Sequence, residues 1–574
     1  MNKESLVYTK PLNYIDENFY DQKKKSTLTA IILFIFFNTV KIVIFDRIIL
    51  SPMSFGILMY KLVFTLVFDA AIFLFILKFK SRSLFIIFYV VQAIYLFANM
   101  AYYIYYYNYL HLLLSPVLLS ESVDAVSHFS IPADPRLLTI LIDLPVFIYL
   151  CITYKRTEPV KRVLKLTRKI SFGCCLAILV IAEIVGGITK DFTPKLIDTY
   201  AKGGETEVVR RYGTIGNNIA DILVNIISKS KADRLEYSNE AITASAKINN
   251  PNIVVIQVES MDSSVINQKY KNNYIAPFLH SLSEKYIYYP YTVSYHRAGG
   301  TSDCEFSIIN SVEPLDDFPA MKIKDYDFPN SMVNKLKEGS YNTIAFHGNV
   351  GSFFNRDKAF PVMGFNDYLD LDKMKLKDNG WGASDGSLLD YVQNYMKTEK
   401  TPFFNYIITL TMHRPFSEAD NYYHNKNYDD IDNNESKGYF NSVSYTDQTL
   451  SRFVNYVKEN YRNTYIFIWG DHTPKITTDY YKQSSFVTSG KYFEFVPLII
   501  ITPDNKIYKE DKFVASFLDL GPTILDISGV PFNIRSDGED LMKGLDSHKT
   551  IPFKGTEYDR AYLFEKIKNE NESK

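Results

Sequence analysis

The sequence predicts a multi-span α-helical membrane domain followed by an extracellular α/β domain with a mostly parallel central sheet. Five apolar stretches, each long enough to cross a bilayer, lie in the first third of the 574-residue chain. From about residue 251, short apolar runs alternate instead with amphipathic stretches of helical period, as in an α/β domain. We therefore expect a five-span transmembrane domain at 1–189, a juxtamembrane helical linker at 190–249 and the α/β domain at 250–574.

The composition argues against two other classes of protein. The formal net charge is −1, so the chain lacks the overall basic character of a nucleic-acid-binding protein. Cys151, Cys174 and Cys175 lie in apolar stretches, which leaves Cys304 alone in the polar part of the chain. No disulfide framework is expected from this arrangement, and no cysteine pair has the spacing of a zinc knuckle.

The apolar stretches and their flanks predict the orientation in the membrane. Lysine and arginine cluster before the first stretch, after the second and after the fourth, whereas the loops after the first and third are nearly free of them. The positive-inside rule makes the basic segments cytoplasmic, so an odd number of spans places the rest of the chain outside the cell. The first stretch exceeds a signal-peptide core and has no cleavage site close behind it. The stretches lie at about 28–45, 55–79, 84–107, 137–154 and 170–188.

Charged residues fall inside the predicted spans, among them Lys41, Lys61, Asp69 and Asp143. Two interpretations stay open for them: they line a lipid groove, or they pack against one another. Residues near a span end can also reach the interface along their own aliphatic stems. We assign none of these residues to catalysis.

The linker is polar and contains one segment of apolar periodicity. Between Ile215 and Ile227 the apolar residues recur as in an amphipathic helix lying beside a membrane. Ala244-Ser245-Ala246 has the small-x-small form that signal peptidases accept, although such a tripeptide arises more often by chance. Release of the outer domain is thus a hypothesis that the intact mass of secreted material would test.

Near-continuous apolar runs in the outer domain are typical of strands buried on both faces. Segments of helical period separate them, which predicts a mostly parallel sheet, and sites in such sheets lie beyond the carboxyl ends of the strands. The predicted strands are 253–258, 342–346, 403–410, 465–469 and 498–501, and the predicted helices are 276–285, 331–337, 387–396, 442–456 and 518–526.

Ionisable side chains follow the first four predicted strands. Glu259 follows the first, His347 the second, His413 the third and Asp471-His472 the fourth. One such residue is usually a helix cap or a surface charge. Ionisable residues after four strands, at the same edge of the predicted sheet, are hard to explain as ordinary surface charges. Glu259, Asp471 and His472 together offer two hard oxygen ligands and an imidazole, a set that suits Mn²⁺ or Zn²⁺.

The segment Gly299-Gly300-Thr301 supplies a candidate nucleophile. Glycine lets the backbone turn sharply and approach a ligand, and a helix beginning at Thr301 would aim free N–H groups at an anion. A metal on the Thr301 oxygen would lower its pKa and make it a nucleophile of alkoxide character. By itself Gly-Gly-Thr before a helix is usually a loop and an N-cap, so the prediction rests on its combination with the metal-ligand set.

His347, Arg356 and His413 remain to hold the charged oxygens of a phosphate. A guanidinium suits this role because its planar fork binds oxyanions through paired hydrogen bonds. The alternative for His347 and Arg356 is a surface pair in a loop. Phe353 and Phe354, next to Arg356, either pack under a substrate or belong to the core of the loop.

Taken in order, these motifs resemble those of the lipoteichoic acid synthase family, polyglycerolphosphate synthases of the alkaline phosphatase/sulfatase superfamily. The resemblance covers essentially the whole chain, with five spans before an extracytoplasmic α/β domain. Each motif alone is weak, but their combination in this order is specific. The matching motifs are Val258-Glu259-Ser260, Gly300-Thr301-Ser302-Asp303-Cys304-Glu305-Phe306, Phe346-His347-Gly348-Asn349, Asn355-Arg356, Met412-His413 and Trp469-Gly470-Asp471-His472.

The resemblance implies a glycerophosphotransferase in the bacterial cell membrane, multi-pass, with its catalytic domain extracellular. Glu259, Thr301, Asp471 and His472 would bind one divalent metal, with Mn²⁺ expected and Mg²⁺ or Zn²⁺ as alternatives. Thr301 would attack the phosphate of phosphatidylglycerol, release diacylglycerol and carry the glycerophosphate as a phospho-threonine intermediate. A glycolipid or polyglycerolphosphate acceptor would then take it.

The resemblance also implies that His347, Asn349, Arg356 and His413 surround the glycerophosphate. The chain departs from the family at Phe354, where members often have tryptophan, and at Asn349, where some members carry an acidic residue. A phenyl ring lacks the N–H donor of an indole. These departures bear on the choice of substrate more than on the chemistry.

Two alternative functions stay open. One is transfer of phosphoethanolamine, or of glycerophosphate onto another glycan or lipid. The other is a membrane scaffold or lipid sensor with a degenerate site, which the presence of every expected ligand and the nucleophile argues against. Sulfate ester hydrolysis is not expected, because the segment 301–305 lacks the Cys/Ser-x-Pro-x-Arg setting of sulfatases, and Cys304 is interpreted as a packing residue.

Overall fold

A computed structural model describes part of the chain, and its residues fall into two compact units. One unit comprises Met1–Pro116 with Ile131–Ile227, and the other comprises Val117–Ser130 with Ser228–Lys574. The described residues are 29–46, 62, 65–66, 69–70, 72–73, 76, 81–106, 109, 135–153, 208–209, 212–223, 235, 241–244 and 250–572, the last range without 297–298, 316–317, 415, 475, 477–493, 511, 544–549 and 554–555.

The first unit is helical in its described part. Two helices are long and apolar enough to cross a membrane, at Thr29–Asp46 and at Arg82–Met100, and they coincide with the first and third predicted spans. The predicted fourth span contains a shorter apolar helix, while most of the second and all of the fifth lie outside the described residues. The helices are α1 (Thr29–Asp46), α2 (Arg82–Tyr106), α3 (Leu144–Thr153) and α4 (212–223).

Helix α4 coincides with the predicted amphipathic segment of the linker. Thr214 donates backbone hydrogen bonds to the carboxylate of Asp46, at 3.2 and 3.3 Å, from the first turn of this helix. A carboxylate at a helix N-terminus satisfies backbone N–H groups that have no partner within the helix. Ser245 and Ala246 of the candidate cleavage tripeptide lie outside the described residues.

The buried charges of the first unit pack against one another. Lys41 Nζ lies 2.7 Å from Asp143 Oδ2, and both side chains are fully buried. Asp143 also accepts hydrogen bonds from Asn38, at 2.8 Å, and from the Tyr89 hydroxyl, at 3.0 Å. A buried ion pair is stable only when its remaining polar atoms are hydrogen-bonded. Mutual packing therefore accounts for Lys41 and Asp143, whereas Lys61 lies outside the described residues.

The second unit alternates strands and helices, as the sequence predicts. Every one of the five predicted strands and five predicted helices is present, with ends shifted by up to eight residues. The strands are β1 (Ala241–Ala244), β2 (Asn252–Val258), β3 (Lys269–Tyr270), β4 (Asn273–Tyr274), β5 (Ile287–Ser294), β6 (Asn342–His347), β7 (Asp367–Leu369), β8 (Phe403–Ile408), β9 (Thr464–Gly470), β10 (Glu494–Ile501), β11 (Tyr508–Lys509), β12 (Ala515–Ser516), β13 (Phe532–Arg535), β14 (Thr550–Phe553) and β15 (Thr556–Asp559). The helices are α5 (Pro277–Ser283), α6 (Thr301–Asn310), α7 (Met332–Glu338), α8 (Arg356–Met363), α9 (Leu371–Met374), α10 (Asp385–Met396), α11 (Asn434–Asn460), α12 (Leu520–Ser528) and α13 (Arg560–Glu572).

The main sheet is mixed, with a parallel half and a partly antiparallel half. Its order is β11-β5-β10-β9-β2-β8-β6-β7, and β12 pairs with β5. The strands from β9 to β7 are parallel, but β10 runs antiparallel to both of its neighbours. Strand β5 was not predicted because Pro290 interrupts it and proline demotes a run as a strand candidate. A register shift opposite Pro290, between Val496 and Leu498, keeps this strand in the sheet.

The parallel register brings four strand ends to one edge of the sheet. Val258 pairs with Gly470, Gln257 pairs with Ile408, and His347 pairs with Ile408. Every residue of β2 and β8 is buried, so both faces of these strands are covered. The residues that follow β2, β6, β8 and β9 consequently emerge side by side.

Candidate active site

The candidate nucleophile begins a helix behind a tight glycine loop. Thr301 is the first residue of α6, and Gly300 before it has φ +52°. Gly299 N donates to Asp303 Oδ2 at 2.8 Å, and a Cβ at Gly299 would lie only 2.1 Å from Asp303 Oδ1. The loop thus needs a glycine at each position, one for its conformation and one for the close approach of a carboxylate.

Four side chains from three elements converge beside this helix start. Thr301 Oγ1 lies 3.3 Å from Glu259 Oε2 and 3.5 Å from His472 Nε2. His472 Nε2 lies 3.4 Å from Glu259 Oε1 and 3.7 Å from Asp471 Oδ2. Glu259 and Asp471 are buried, and one ligand atom from each of Glu259, Asp471 and His472 lies within 4.8 Å of the other two.

These separations suit a bound metal ion. Oxygen and nitrogen ligands lie about 2.0–2.2 Å from Zn²⁺, so the ligands of a tetrahedral site are separated by roughly 3.3–3.6 Å. Glu259, Asp471, His472 and Thr301 offer two carboxylates, an imidazole and a hydroxyl at about this spacing. Two buried carboxylates also call for positive charge nearby, which a divalent ion would supply.

The charges of the cluster are strongly coupled. Burial disfavours the imidazolium of His472, but the carboxylates of Asp471 and Glu259 outweigh burial and raise its pKa to about 10. Burial and the neighbouring Glu259 raise the pKa of Asp471, whereas the His472 charge holds the pKa of Glu259 well below its ordinary value despite burial. Protons thus concentrate on Asp471 and His472, where a metal ion would replace them.

Local hydrogen bonds orient the ligands. Ser260 N donates to Asp471 Oδ1 at 2.8 Å, and the Ser260 hydroxyl donates to Glu259 Oε1 at 2.7 Å. His472 Nδ1 lies 3.2 Å from the carbonyl oxygen of Thr473. A carbonyl can only accept, so Nδ1 carries a proton, and a metal ion that displaced the second proton of the ring would meet the Nε2 lone pair.

His347 is buried and, like His472, directs Nδ1 at a backbone carbonyl. Its Nδ1 lies 3.1 Å from the Ile408 carbonyl oxygen, so Nδ1 donates and Nε2 is an acceptor. Burial and the positive charge of Arg356 lower the pKa of His347 to about 3. A neutral imidazole with an accepting Nε2 suits a hydroxyl group better than an anionic phosphate oxygen.

Arg356 is buried in a two-pronged ion pair with Glu305. Arg356 Nε donates to Glu305 Oε2 at 2.8 Å and Nη2 donates to Glu305 Oε1 at 2.6 Å, while Nη1 donates to the Phe353 carbonyl at 3.3 Å. Three of its five N–H groups are used in this way, and two are left for a substrate oxygen. Glu305 thereby fixes the plane and the direction of the guanidinium.

Asn349 and His413 have different surroundings. Asn349 Oδ1 accepts from Val350 N at 2.7 Å, which leaves its amide N–H₂ as a donor. Burial lowers the pKa of His413, and the charges of Glu259 and His472 also act on it, so His413 lies close to the cluster. The backbone carbonyl of Asn349 accepts from Leu371 N at 3.1 Å.

Aromatic rings line the same region. The centroid of the Phe354 ring lies 5.9 Å from Arg356 Cζ. A Cβ at Gly300 would lie 3.8 Å from Phe354 Cζ. Phe353 packs edge-on against both Phe354 and Trp381, with centroids 4.9 and 5.6 Å apart. Phe354 thus lies beside the nucleophile loop, as expected of a ring that packs under a substrate. Phe353 packs behind Phe354, as expected of a residue in the core of the loop.

A second group of possible metal ligands shares His472. His296 Nδ1 lies 3.3 Å from Glu494 Oε2, and the His296 and His472 rings are 4.6 Å apart. Glu494 Oε2 also accepts from Thr473 N at 3.0 Å. Because His472 Nδ1 already faces a carbonyl, this group holds the segment 471–473 in place rather than offering an independent ion site.

The sequence interpretation missed Glu305 and Trp381. Glu305 lies in the buried part of α6 between Cys304 and Phe306, and a charged residue between two apolar ones there signals a buried partner. Trp381 follows a glycine in a loop and left no periodic signal. Cys304, interpreted as a packing residue, is buried with its Sγ 3.3 Å from the Asp471 carbonyl oxygen.

Comparisons with known proteins show what the second unit is similar to. Residues 251–530 match the family model described as Sulfatase. A lipoteichoic acid synthase of Staphylococcus saprophyticus is 28% identical over 395 residues, covering 65% of this chain and 60% of the relative. The lipoteichoic acid synthase-like YvgJ of Bacillus subtilis is 25% identical over 511 residues, covering 82% of this chain and 80% of the relative. The chain thus spans about three fifths of the length of the first relative.

A solved structure resembles this chain in fold. The integral membrane protein lipooligosaccharide phosphoethanolamine transferase A (EptA) of Neisseria meningitidis superposes with a TM-score of 0.58. The superposition covers 89% of this chain and 96% of EptA at 14% sequence identity. At this identity the likeness shows the fold alone.

Proposed function

We propose that this chain, whose residues 251–530 form a sulfatase-type domain, is a membrane-anchored, metal-dependent glycerophosphotransferase. It moves glycerol phosphate from phosphatidylglycerol to a growing polymer of the lipoteichoic acid type. The observation that carries the proposal is the approach of the Thr301 hydroxyl to Glu259 and His472, at 3.3 and 3.5 Å. The similarity to lipoteichoic acid synthases supports the donor and acceptor classes.

Glu259, Thr301, Asp471 and His472 would hold one divalent ion, for which we expect Mn²⁺. Bound there, the ion would supply the positive charge that lowers the pKa of a hydroxyl and neutralises phosphate oxygens. Thr301 Oγ1 loses its proton and bonds to phosphorus, the bond from phosphorus to the diacylglycerol oxygen breaks, and that oxygen gains a proton. A hydroxyl of the acceptor then attacks the phospho-threonine, gives up its proton and restores Thr301.

The remaining site residues divide between phosphate and headgroup. Arg356 and Asn349 offer N–H donors, which suit phosphate oxygens. His347 offers the acceptor Nε2, which suits a glycerol hydroxyl. His413, near the cluster, completes the wall around the headgroup. Glycerol, an uncharged polyol, fits a wall whose two imidazoles have pKa values lowered by burial.

We further propose the arrangement in the cell. Residues 1–189 form a multi-pass membrane domain, 190–249 a juxtamembrane linker and 250–574 a catalytic domain on the extracellular side of a bacterial cell membrane. The membrane is then both the anchor and the source of the donor lipid. A glycolipid or the polyglycerolphosphate chain itself is the acceptor.

Lipid turnover tests the proposal. The purified full chain with Mn²⁺ is incubated with labelled phosphatidylglycerol or labelled phosphatidylethanolamine, and diacylglycerol is measured. We expect release from phosphatidylglycerol alone, with a fall of about a thousandfold or more in Thr301→Ala, since the nucleophile is removed. Ser307→Ala, a hydroxyl on the same helix that is buried in the interior, should keep near-normal turnover.

The outcomes separate the alternatives. Release from phosphatidylethanolamine alone would establish the phosphoethanolamine transferase. Unchanged turnover in Thr301→Ala, or no turnover of either lipid by protein that binds Mn²⁺, would overturn the proposal. The second result would favour the scaffold or lipid sensor.

A further inference from the structure

Trp381 occupies a junction between the loops of the candidate site. Its indole stacks on the imidazole of His413, with centroids 4.9 Å apart and an angle of 21° between the rings. The edge of the same indole meets Phe353, at 5.6 Å and 89°. Trp381 is buried, so these contacts hold most of its surface. One side chain thereby joins the loop after β8 to the loop that carries Arg356.

His413 differs from the other two histidines of the site in having a stacked ring neighbour. His347 and His472 each direct Nδ1 at a backbone carbonyl, at 3.1 and 3.2 Å. Functional imidazoles are normally oriented by contacts away from the ligand. For His413, the face of the Trp381 indole constrains the plane of the ring.

The loop that carries Trp381 is rigidly built. Asp378 Oδ1 accepts from Gly380 N and Gly382 N, each at 2.8 Å, and Ala383 N donates to the Gly348 carbonyl at 2.8 Å. Gly382 has φ +102°, and a Cβ there would lie 2.4 Å from the Gly348 oxygen. The backbone next to Trp381 is therefore pinned to the residue that directly follows His347.

We propose that Trp381 is a positioning residue of the transferase site: its indole face holds the His413 ring toward the headgroup of the donor lipid. This role rests on the proposed function, and it adds a residue that acts through His413. Offset stacking fixes the plane of a ring without using its nitrogens.

Paired substitutions test the role. Trp381→Phe keeps an aromatic face. Trp381→Leu keeps an apolar side chain but removes the aromatic face. We expect Trp381→Leu to raise KM for phosphatidylglycerol and lower kcat/KM by about tenfold, and Trp381→Phe to stay within about threefold of the wild type, from the usual strength of aromatic pairs. Mn²⁺ content should remain unchanged in both, because no metal ligand is altered. The melting temperature should fall in Trp381→Leu, which loses buried contacts, so the kinetics are compared at a temperature at which both variants are folded.

A spectroscopic arm keeps the test independent of turnover. The chain has two tryptophans, so Trp469→Phe leaves Trp381 as the sole reporter. In this background His413→Gln should change the intensity of tryptophan emission, and glycerol phosphate should change it only when His413 is present. The same additions to the Trp469→Phe, Trp381→Phe protein give the blank.

Each result has a defined meaning. Equal emission with and without His413, or a Trp381→Leu variant with wild-type kinetics, would overturn the positioning role. So would a Trp381→Phe variant as impaired as Trp381→Leu. If the wild type releases no diacylglycerol while emission still depends on His413, the proposed function fails and the stacked pair stands.

Discussion

At the scale of single residues, the candidate site holds three histidines in three different surroundings. His472 and His347 each direct Nδ1 at a backbone carbonyl. The carboxylates near His472 raise its pKa, whereas burial and the charge of Arg356 lower the pKa of His347. His413 is held by a stacked indole. Residue type alone could not assign these roles, because the neighbours of each ring set its charge and its free nitrogen.

The ion pair behind the site gives a stability prediction. Glu305→Gln removes the charge that compensates the buried Arg356, so we expect the free energy of unfolding to fall by about 3 kcal/mol and lipid turnover to fall with it. The half-exposed pair of Arg414 and Glu435, 2.5 Å apart, is the matched control. Glu435→Gln should cost less than about 1 kcal/mol. Urea unfolding measures both, and equal losses would contradict the prediction.

Glu399 gives a pH prediction. Its carboxylate accepts from Asn342 at 2.9 Å and from Asn405 at 2.7 Å, and burial raises its pKa to about 7. A raised pKa means that the folded state binds the proton more tightly than the unfolded state. Its contribution to stability is therefore full at low pH and is lost as pH rises through about 7.

We accordingly expect the Glu399 contribution to decline between about pH 5 and pH 8. Glu399→Gln should flatten this part of the pH profile and stabilise the protein at pH 8 by on the order of 1 kcal/mol, a value reduced for partial exposure. Unfolding by urea at several pH values provides the measurement. Glu338→Gln, at an exposed position, should leave the slope unchanged; an unchanged slope in Glu399→Gln would refute the assignment.

At the scale of elements, the register of the parallel strands places the site residues at one edge of the sheet. Strands β2 and β9 pair in register through Val258 and Gly470, so Glu259 and Asp471 emerge as neighbours. A shift of register by one residue would turn each ligand to the opposite face of the sheet. The site therefore depends on the exact pairing of strands as much as on its ligands.

Gly470 tests this dependence. A Cβ there would lie 1.8 Å from the Met261 carbonyl oxygen, a backbone atom, so Gly470→Ala must separate the end of β9 from the segment after Glu259. We expect a loss of about 2–4 kcal/mol in stability and weaker Mn²⁺ binding. At Gly386 the nearest atom is the hydroxyl of Tyr445, 2.4 Å away on a movable side chain, and Gly386→Ala should bind Mn²⁺ normally. Calorimetric titration with Mn²⁺ decides; equal affinities would contradict the prediction.

At the scale of the whole molecule, the chain has a helical unit with membrane-length helices and an α/β unit with the candidate site. Such a division suits the proposed reaction, in which the donor is a membrane lipid and diacylglycerol is released. Orientation then decides function, because a site on the cytoplasmic side would face a different set of acceptors.

Cysteine labelling tests the orientation. In intact cells a membrane-impermeant maleimide should label Lys426→Cys, at an exposed position of the outer unit. It should label Lys161→Cys, in the basic loop after the fourth predicted span, only after the cells are permeabilised, because basic loops are retained inside. Labelling of Lys161→Cys in intact cells would reverse the predicted topology.

Much of the outer fold was predictable because its signals are local. Runs buried on both faces are apolar along their whole length, so β2, β6, β8 and β9 were found from sequence, and their polar successors with them. The antiparallel course of β10 and the existence of β5 were not found. Strand direction depends on pairing between distant segments, and Pro290 hides β5 from any local rule.

The sequence by itself determined which residues follow the strands, and so the nucleophile and the metal-ligand set as predictions, because apolar period and motif order are properties of the linear chain. Only the tertiary structure decided how those residues meet. It turned Arg356 toward Glu305, gave His347 an accepting nitrogen and stacked Trp381 on His413. Such contacts join segments far apart in the chain, and their geometry depends on packing that no local pattern encodes.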